Sequence, residues 1–367
     1  MRVIMTGGGT GGHIYPAIAI ADKFQERSNN SQILFVGTER GMESRLVPQA
    51  GYELKTINVT GLDRRHPLKN AKVLNLYRKA KKQAKTIIEE FKPDVVIGTG
   101  GYVSGPVVAQ AQAMGIPTFI QEQNAVAGVT NKMLSKKAQK IFLGFEEGGR
   151  SFKQKDKLVV SGNPVRSQFM KVSKEESRKE LGIDPDKFVV LSFGGSLGAG
   201  KINQAMVYVV QQYADDKDVE VFFGTGRAYY AAIEAELTEL GVMDKPGIHV
   251  TEYIDNMQHY LSACDLVISR SGALTVSEIA ICNTPSILVP SPNVTGDHQT
   301  FNARAISDKG GAILLTEDRL SGPVLFEEIE QLRNNEGFRE GMAEQLSRTA
   351  PVDAADIIYY EIITSIR

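Results

Sequence analysis

The chain is 367 residues long, 42% hydrophobic and 23% charged, with a formal net charge of −1. That length predicts about two domains of roughly 150 residues each, and the composition is that of a globular chain with apolar material for a core in each. The near-zero charge excludes a general nucleic-acid binder, and no run approaches the ~18 apolar residues of a membrane span.

The chain opens on Met1-Arg2-Val3-Ile4-Met5-Thr6-Gly7, a strand running straight into a glycine loop. It lacks the charged start and apolar stretch of a signal peptide, so a cytoplasmic protein is expected. The loop, Gly7-Gly8-Gly9-Thr10-Gly11-Gly12-His13, contains a formal dinucleotide fingerprint at Gly7, Gly9 and Gly12. A nicotinamide enzyme also wants an acid at the end of the second strand. The nearest, Glu39, lies three residues beyond Val36 and inside another glycine-bounded loop.

Further apolar runs follow at Ile33–Val36, Val95–Ile97, Thr118–Ile120, Ile141–Leu143 and Leu158–Val160, separated by helical segments. Between them, residues 61–85 carry Arg64, Arg65, Lys69, Lys72, Arg78, Lys79, Lys81, Lys82 and Lys85 against Asp63 alone. Val73, Tyr77, Ala80, Ala84, Ile87 and Phe91 recur at helical spacing, predicting an apolar stripe against a sheet with the lysines outward.

After Gly162-Asn163-Pro164-Val165-Arg166 the pattern starts again. Val189–Leu191 leads into Gly194-Gly195-Ser196-Leu197-Gly198-Ala199-Gly200, and runs at Val221–Phe223, Leu266–Ile268, Ile287–Val289 and Ile313–Leu315 follow. Gly195 to Lys201 imitates a P-loop, but Ile202 stands where a magnesium-binding hydroxyl belongs. What remains is a glycine turn before a helix, which suits a diphosphate. Asp184-Pro185-Asp186 and Asp216-Lys217-Asp218 match the D-x-D of metal-using transferases. Each stands just before a strand, opposite the ligand edge of a parallel sheet, and reads as a turn. Cys264 and Cys282 form no metal-type pair and read as packed small residues.

Continuous apolar strands alternating with helices predict an α/β fold of two Rossmann-like, doubly wound parallel-sheet domains facing a cleft. The expected domains are residues 1–163, joined by the C-terminal helix 341–367, and residues 164–340.

The ordered set Gly8–Pro16, Gly100–Pro106, Glu122-Gln123-Asn124, Gly162–Arg166, Gly194–Ala199, Arg270–Glu278 and His298-Gln299 with Asn302-Ala303 resembles the MurG family of bacterial glycosyltransferases over nearly the whole chain. The resemblance implies a GT-B enzyme that transfers N-acetylglucosamine from UDP-N-acetylglucosamine to lipid I, with inversion, to give lipid II. It implies a donor domain at the C-terminal side, an acceptor domain at the N-terminal side, and neither metal nor cofactor. One departure stands out: Gln121 occupies a place where the family often has histidine, which puts any general catalytic role of that position in doubt.

Inverting transfer needs a base and donors for the leaving diphosphate. His13, at the mouth of the first glycine loop, and Glu122, at a strand end, are the candidate bases. Thr10, Gly11, Gly12, Asn124 and Arg166 are expected to meet the sugar or diphosphate, and Ser196 the diphosphate. Glu278 is expected to accept from the ribose hydroxyls. By the resemblance, Ile254 meets uracil through its backbone, Ala273, Leu274, Thr275, Val276 and Ser277 line the nucleotide, and Gln299 meets the donor sugar. Gly101, Tyr102 and Ser104 fall on the acceptor side. An acceptor with a polyprenyl tail must be met at the membrane, so the basic 61–85 segment, with Leu62, Pro67 and Leu68, is expected to bind the anionic cytoplasmic face peripherally. The competing readings are a transferase for another acceptor, a UDP-sugar 2-epimerase of the same fold, and a catalytically silent UDP-binding protein.

Overall fold

The computed structural model of the chain describes residues 1–61, 70–195, 197–349 and 353–366, with the side chains of 70–72 and 295 left aside. The chain forms two compact units, Met1–Arg166 with Pro351–Arg367, and Ser167–Ala350.

The first unit runs β1 (Arg2–Gly7), α1 (Gly11–Arg27), β2 (Gln32–Gly37), α2 (Glu43–Gln49), β3 (Glu53–Thr56), α3 (Asn70–Phe91), β4 (Val95–Gly100), α4 (Gly101–Ala113), β5 (Thr118–Glu122), α5 (Val129–Leu134), β6 (Lys140–Leu143) and β7 (Leu158–Val160). The strands are parallel, in the order β3-β2-β1-β4-β5-β6-β7. Side chains alternate between the two sheet faces, and both faces are covered. Val3 and Met5 pack with Ile14, Ile18 and Phe24 of α1 on one side. Ile4, Leu34 and Val96 pack with Ala80, Ala84 and Ile88 of α3 and Val103 and Val107 of α4 on the other. The apolar stripe of α3 therefore packs as its spacing predicts, while Arg78, Lys79, Lys82 and Lys85 are exposed. Residues 62–69 of the basic segment lie outside the described residues.

The second unit runs α6 (Lys174–Leu181), β8 (Phe188–Phe193), α7 (Gly200–Tyr213), β9 (Val219–Gly224), α8 (Tyr230–Glu239), β10 (Ile248–Thr251), α9 (Met257–Ala263), β11 (Leu266–Ser269), α10 (Ala273–Ile281), β12 (Ser286–Leu288), α11 (His298–Ser307), β13 (Ala312–Leu314), α12 (Gly322–Arg333) and α13 (Glu336–Thr349). Its sheet is also parallel, in the order β10-β9-β8-β11-β12-β13. Local chemistry fixes the helix ends. Ser173 and Glu176 form a reciprocal capping box at the start of α6, which ends at Gly182 in the left-handed region. Burial raises the thiol of Cys264 well above its ordinary value and that of Cys282 to about 11, so both are neutral thiols at pH 7.

The last helix, α14 (Ala354–Ser365), packs in the first unit. Its Ile358 and Ile362 are fully buried with the α1 core, and Tyr359 meets Phe24 edge to face at 5.0 Å. Each buried isoleucine contributes about 1.5–3 kcal/mol. The partly exposed Lys23–Asp353 and Arg27–Asp356 pairs contribute about 1 kcal/mol at most. Apolar burial therefore holds the helix. The return to the first unit comes later than the expected 341, because Met342 is part of the second unit's core and Leu346 packs over Gly311.

In both units the sheet order reverses beside the first strand, between β1 and β4 and between β8 and β11. Open parallel sheets bind ligands at the carboxyl ends of strands at such a point.

Candidate active site

In the first unit the loops after β1 and β4 meet at that switch point. Gly100 and Gly101 have φ of +107° and +78°, and a Cβ on Gly101 would collide with the carbonyl of Gly8. Only glycine allows this approach. The second-strand side is closed by Glu43, a fully buried carboxylate. It accepts from Gly9 N at 3.1 Å, Thr38 N at 3.0 Å and Thr38 Oγ1 at 2.6 Å. A Cβ on Gly8 or Gly37 would come within 2.6 Å of it.

Thr10 is the extended N-cap of α1 and makes no side-chain cap. Thr10 and Gly12 are exposed, and Gly11 and His13 are partly so. The His13 ring lies beside Gly100, where a Cβ would come within 2.9 Å of Nδ1. Its Nδ1 is 2.9 Å from Gln123 Oε1 and 3.1 Å from the Thr99 carbonyl. Arg166 stacks its guanidinium 4.9 Å from the ring centre of Tyr15, on α1.

Glu122, at the end of β5, is 2% exposed. Its Oε1 accepts from Asn124 N at 3.1 Å and Asn124 Nδ2 at 3.2 Å. Its Oε2 accepts from Gly128 N at 3.0 Å and Asn131 Nδ2 at 2.9 Å. A carboxylate offers about four acceptor sites, and four donors fill these. The arrangement fixes the loop carrying Asn124 and leaves no lone pair aimed at a substrate. The expectation of Glu122 as a base is thus at odds with its geometry.

One acceptor-side expectation also changes. Ser104 is fully buried; its hydroxyl accepts from Gly100 N at 3.1 Å and has two carbonyls in reach of its one proton, Thr6 O at 2.8 Å and Gly100 O at 2.7 Å, so it fastens the loop from within. Gly101 serves the close approach to Gly8. Tyr102 is part-exposed, with its ring against Gly9.

In the second unit the loop after β8 turns at Gly195 and Gly198, with φ of +84° and +78°. Ser196, the expected diphosphate ligand, lies outside the described residues, and its neighbour Leu197 is 81% exposed. Gly198 packs on Thr225 and Gly226 with no room for a Cβ. The loop delivers the chain to the N-terminus of α7, whose N-cap Ala199 supplies no side-chain cap. Among the described residues no side chain caps its first amides, an arrangement that suits an anion.

The loop after β11 leads through Gly272 into α10, again without a side-chain cap. Leu274, Thr275, Ser277 and Glu278 are partly exposed and Ala273 is 8% exposed. Val276 is fully buried, so its side chain faces the core and not a nucleotide. Ile254 turns its side chain onto Gly224, which leaves only its backbone for a ligand. Gln299 Oε1 accepts from Ser291 N at 2.8 Å, and the Gln299 carbonyl accepts from Ser271 Oγ at 2.8 Å. Arg270 ties this loop to Val289 O at 3.2 Å, Pro290 O at 3.1 Å and the Glu317 carboxylate.

The two D-x-D matches are turns before β8 and β9. Asp184 Oδ1 accepts from Asp186 N at 3.0 Å and Asp216 Oδ1 from Asp218 N at 2.9 Å. Among the described residues no three His, Cys, Asp or Glu side chains group as a metal site.

The glycosyltransferase family 28 N-terminal domain matches residues 3–143, and the glycosyltransferase family 28 C-terminal domain matches residues 189–358. The chain belongs to glycosyltransferase family 28. Beside this family 28 chain stands the UDP-N-acetylglucosamine--N-acetylmuramyl-(pentapeptide) pyrophosphoryl-undecaprenol N-acetylglucosamine transferase of Thermoanaerobacter sp. (strain X514), 44% identical over 367 residues and covering 100% of both chains. The protein of that name from Oenococcus oeni is 43% identical over 359 residues, 98% of this chain and 96% of its own. The crystal structure of Acinetobacter baumannii MurG is 30% identical with a TM-score of 0.77, covering 99% of each chain. A UDP-GlcNAc 2-epimerase from Neisseria meningitidis, bound to UDP-GlcNAc, covers 99% of this chain and 100% of its own at TM-score 0.70 and 16% identity, which is likeness of fold alone.

Sequence reasoning missed Glu43, Thr99, Gln123 and Arg270 as parts that hold the two sites. No sequence signal marks the first, since the glycines at 8, 37 and 41 crowd this glutamate only once the chain has folded.

Proposed function

We propose that this chain transfers N-acetylglucosamine from UDP-N-acetylglucosamine to undecaprenyl-pyrophosphoryl-N-acetylmuramyl-pentapeptide, lipid I, and so forms lipid II. The observation that carries this reading is 44% identity over all 367 residues to a transferase of that name.

In this reading the second unit holds the donor. Glu278 accepts from the ribose hydroxyls, the Ile254 backbone meets uracil, the start of α10 lines the nucleotide, and Gln299 meets the sugar. The α7 N-terminus faces the diphosphate, where open amides and the helix dipole stabilise charge that grows as the bond breaks. The first unit presents the acceptor to His13, with Thr10, Gly12, Tyr102 and Asn124 as contacts. The acceptor hydroxyl oxygen attacks the anomeric carbon while His13 takes its proton. The bond from that carbon to the β-phosphate oxygen breaks, and UDP leaves with the electron pair. A single displacement inverts the anomeric centre. The choice of His13 as base is supported by the four donors that already occupy Glu122.

The assay is UDP release and lipid II formation from UDP-N-acetylglucosamine and a short-chain lipid I analogue. Turnover should require the acceptor, and His13→Ala should lower kcat by roughly 10²–10⁴-fold with UDP affinity little changed. Conversion of the donor without acceptor would instead mark an epimerase, and a near-normal kcat in the variant would remove His13 as base.

An acceptor that carries a lipid would be met at a membrane surface. No described helix is long and apolar enough to cross one. Peripheral binding is supported by the exposed Arg78, Lys79, Lys82 and Lys85 on α3. Beside them stand the exposed apolar Leu74 of α3 and Val129 and Met133 of α5. Tyr77 of α3 and Thr130 of α5 both flank Gly105 of α4, which brings the two helices to one region of the surface.

A further inference from the structure

Three buried amides reach His13 in a line. Gln121, Gln123 and Asn163 are 0%, 1% and 3% exposed. Asn163 Nδ2 donates to the Gln123 carbonyl at 3.0 Å, and Gln121 Nε2 donates to Asn163 Oδ1 at 3.0 Å. Gln123 Nε2 donates to Gln121 Oε1 and, at 2.7 Å, to the Thr99 carbonyl. Gln123 Oε1 is left facing His13 Nδ1 at 2.9 Å.

Every orientation in this line follows from groups that cannot change role. A backbone carbonyl only accepts. The Gln123 carbonyl forces Asn163 to present its NH2 there, hence its oxygen to Gln121, hence the Gln121 oxygen to Gln123. The Thr99 carbonyl independently demands the Gln123 NH2. Both routes leave the Gln123 oxygen toward the imidazole. His13 Nδ1 then faces two acceptors, Gln123 Oε1 and the Thr99 carbonyl at 3.1 Å, and must carry a proton. In a neutral imidazole the other nitrogen, Nε2, then holds a lone pair. The unit's buried carboxylates, Glu122 and Glu43, are engaged by their own donors.

We infer that Gln123, oriented by Gln121 and Asn163, is a positioning residue that holds His13 in its Nδ1–H tautomer with Nε2 free to take the acceptor's proton. The tautomer follows from the amide line together with the Thr99 carbonyl; its use in transfer rests on His13 being the base. Gln121 suits this line because it supplies one acceptor and one donor and does not titrate.

The test uses the full chain with ¹⁵N-labelled histidine, where proton-coupled nitrogen spectra show which ring nitrogen carries hydrogen. His13 should appear as a single Nδ1–H form. Gln123→Met should convert it to a mixture and lower kcat about tenfold, less than loss of the base itself, with the KM for UDP-N-acetylglucosamine within about twofold. An altered tautomer with unchanged kcat keeps the positioning role and removes the base role. An unchanged His13 spectrum overturns the positioning role whatever kcat does. Gln121→His keeps the donor and acceptor count and guards against a folding failure. Its neutral ring should preserve the Nδ1–H form, and its protonation at low pH, which removes the acceptor for Gln123 Nε2, should perturb the His13 signals and kcat together. His13 signals indifferent to that titration would likewise overturn the inference.

Discussion

Replacing Glu122 separates a base from a brace, because the two roles predict opposite patterns of stability and rate. Glu122→Ala removes the acceptor of four donors at 2.9–3.2 Å. Asn131 is 2% exposed, and its Oδ1 already has no partner among the described residues. Its NH2 keeps the bond to the Gln121 carbonyl at 3.1 Å, but the N–H that faced Glu122 loses its acceptor, at a cost of about 1–3 kcal/mol. The other three donors reach water more easily and lose about 0.5–1.5 kcal/mol each. Neighbouring losses do not add fully, so the sum is about 2–6 kcal/mol, a large share of a domain's stability. Glu122→Gln keeps the shape and one oxygen, turns an NH2 toward donors on the other side, and should cost about half as much. Urea unfolding gives the stability, and kcat against pH on the folded fraction gives the chemistry. A brace predicts destabilised variants, a moderate loss of kcat and an unchanged pH limb. Wild-type stability in Glu122→Gln, joined to a 10²–10⁴-fold loss of kcat and a vanished limb, would refute the reasoning and restore Glu122 as the base.

Glu278→Ala should weaken UDP binding by about 1.5–3 kcal/mol, the scale of a hydrogen bond to a charged group. Calorimetry with 2′,3′-dideoxy-UDP should show a much smaller loss, and equal losses would exclude the ribose contact. Activity should survive excess EDTA, since the open amides of α7 are assigned to the leaving diphosphate; activity lost to EDTA and restored by magnesium would contradict that assignment. Changing Arg78, Lys79, Lys81 and Lys82 together to Gln should abolish sedimentation with anionic vesicles at low salt, given about 1 kcal/mol per basic residue. Turnover of a water-soluble acceptor should be kept, and undiminished vesicle binding would show the basic face to be only a solvated surface.

The central strands were legible because burial on both faces leaves them as unbroken apolar runs. The edge strands β3 and β10 were not, since Glu53–Thr56 and Ile248–Thr251 mix polar and apolar residues along a half-exposed edge. The domain return was misplaced by about ten residues because α13 carries only Met342 and Leu346 as its buried residues, too sparse a pattern to assign to either core. At the site, the resemblance picked out segments but not their inner and outer faces. Helical spacing alone places Val276 with Ile279 and Ala280, inward, so that correction was available from the sequence. The commitments of Glu122 and Glu43 were not, because their partners arrive by folding: Gly9 lies 34 residues from Glu43, and the Asn131 amide comes back to Glu122 from the start of α5.

The two glycine loops show how one architecture is turned to two uses. Both follow the first strand of a parallel sheet and open a helix, the arrangement that favours a phosphate. In the first unit the fingerprint's middle glycine, Gly9, has its amide taken by Glu43, a buried carboxylate 3.1 Å away. A phosphate oxygen roughly 5 Å from that carboxylate would meet a repulsion of about 3 kcal/mol at an effective dielectric near 20. That exceeds the ~0.3–1 kcal/mol a helix terminus offers an anion. The loop is thus poorly made for the diphosphate of a dinucleotide, despite its sequence match. What it does present is Thr10, the amides of Gly11 and Gly12, and the edge of His13, groups fitted to a neutral hydroxyl that must lose a proton. In the second unit the loop after β8 opens α7 with no such carboxylate bonded to its described residues. Under the proposed function, the difference between receiving a sugar hydroxyl and releasing a nucleotide diphosphate lies less in the glycines, which both loops share, than in the one carboxylate set behind the first of them.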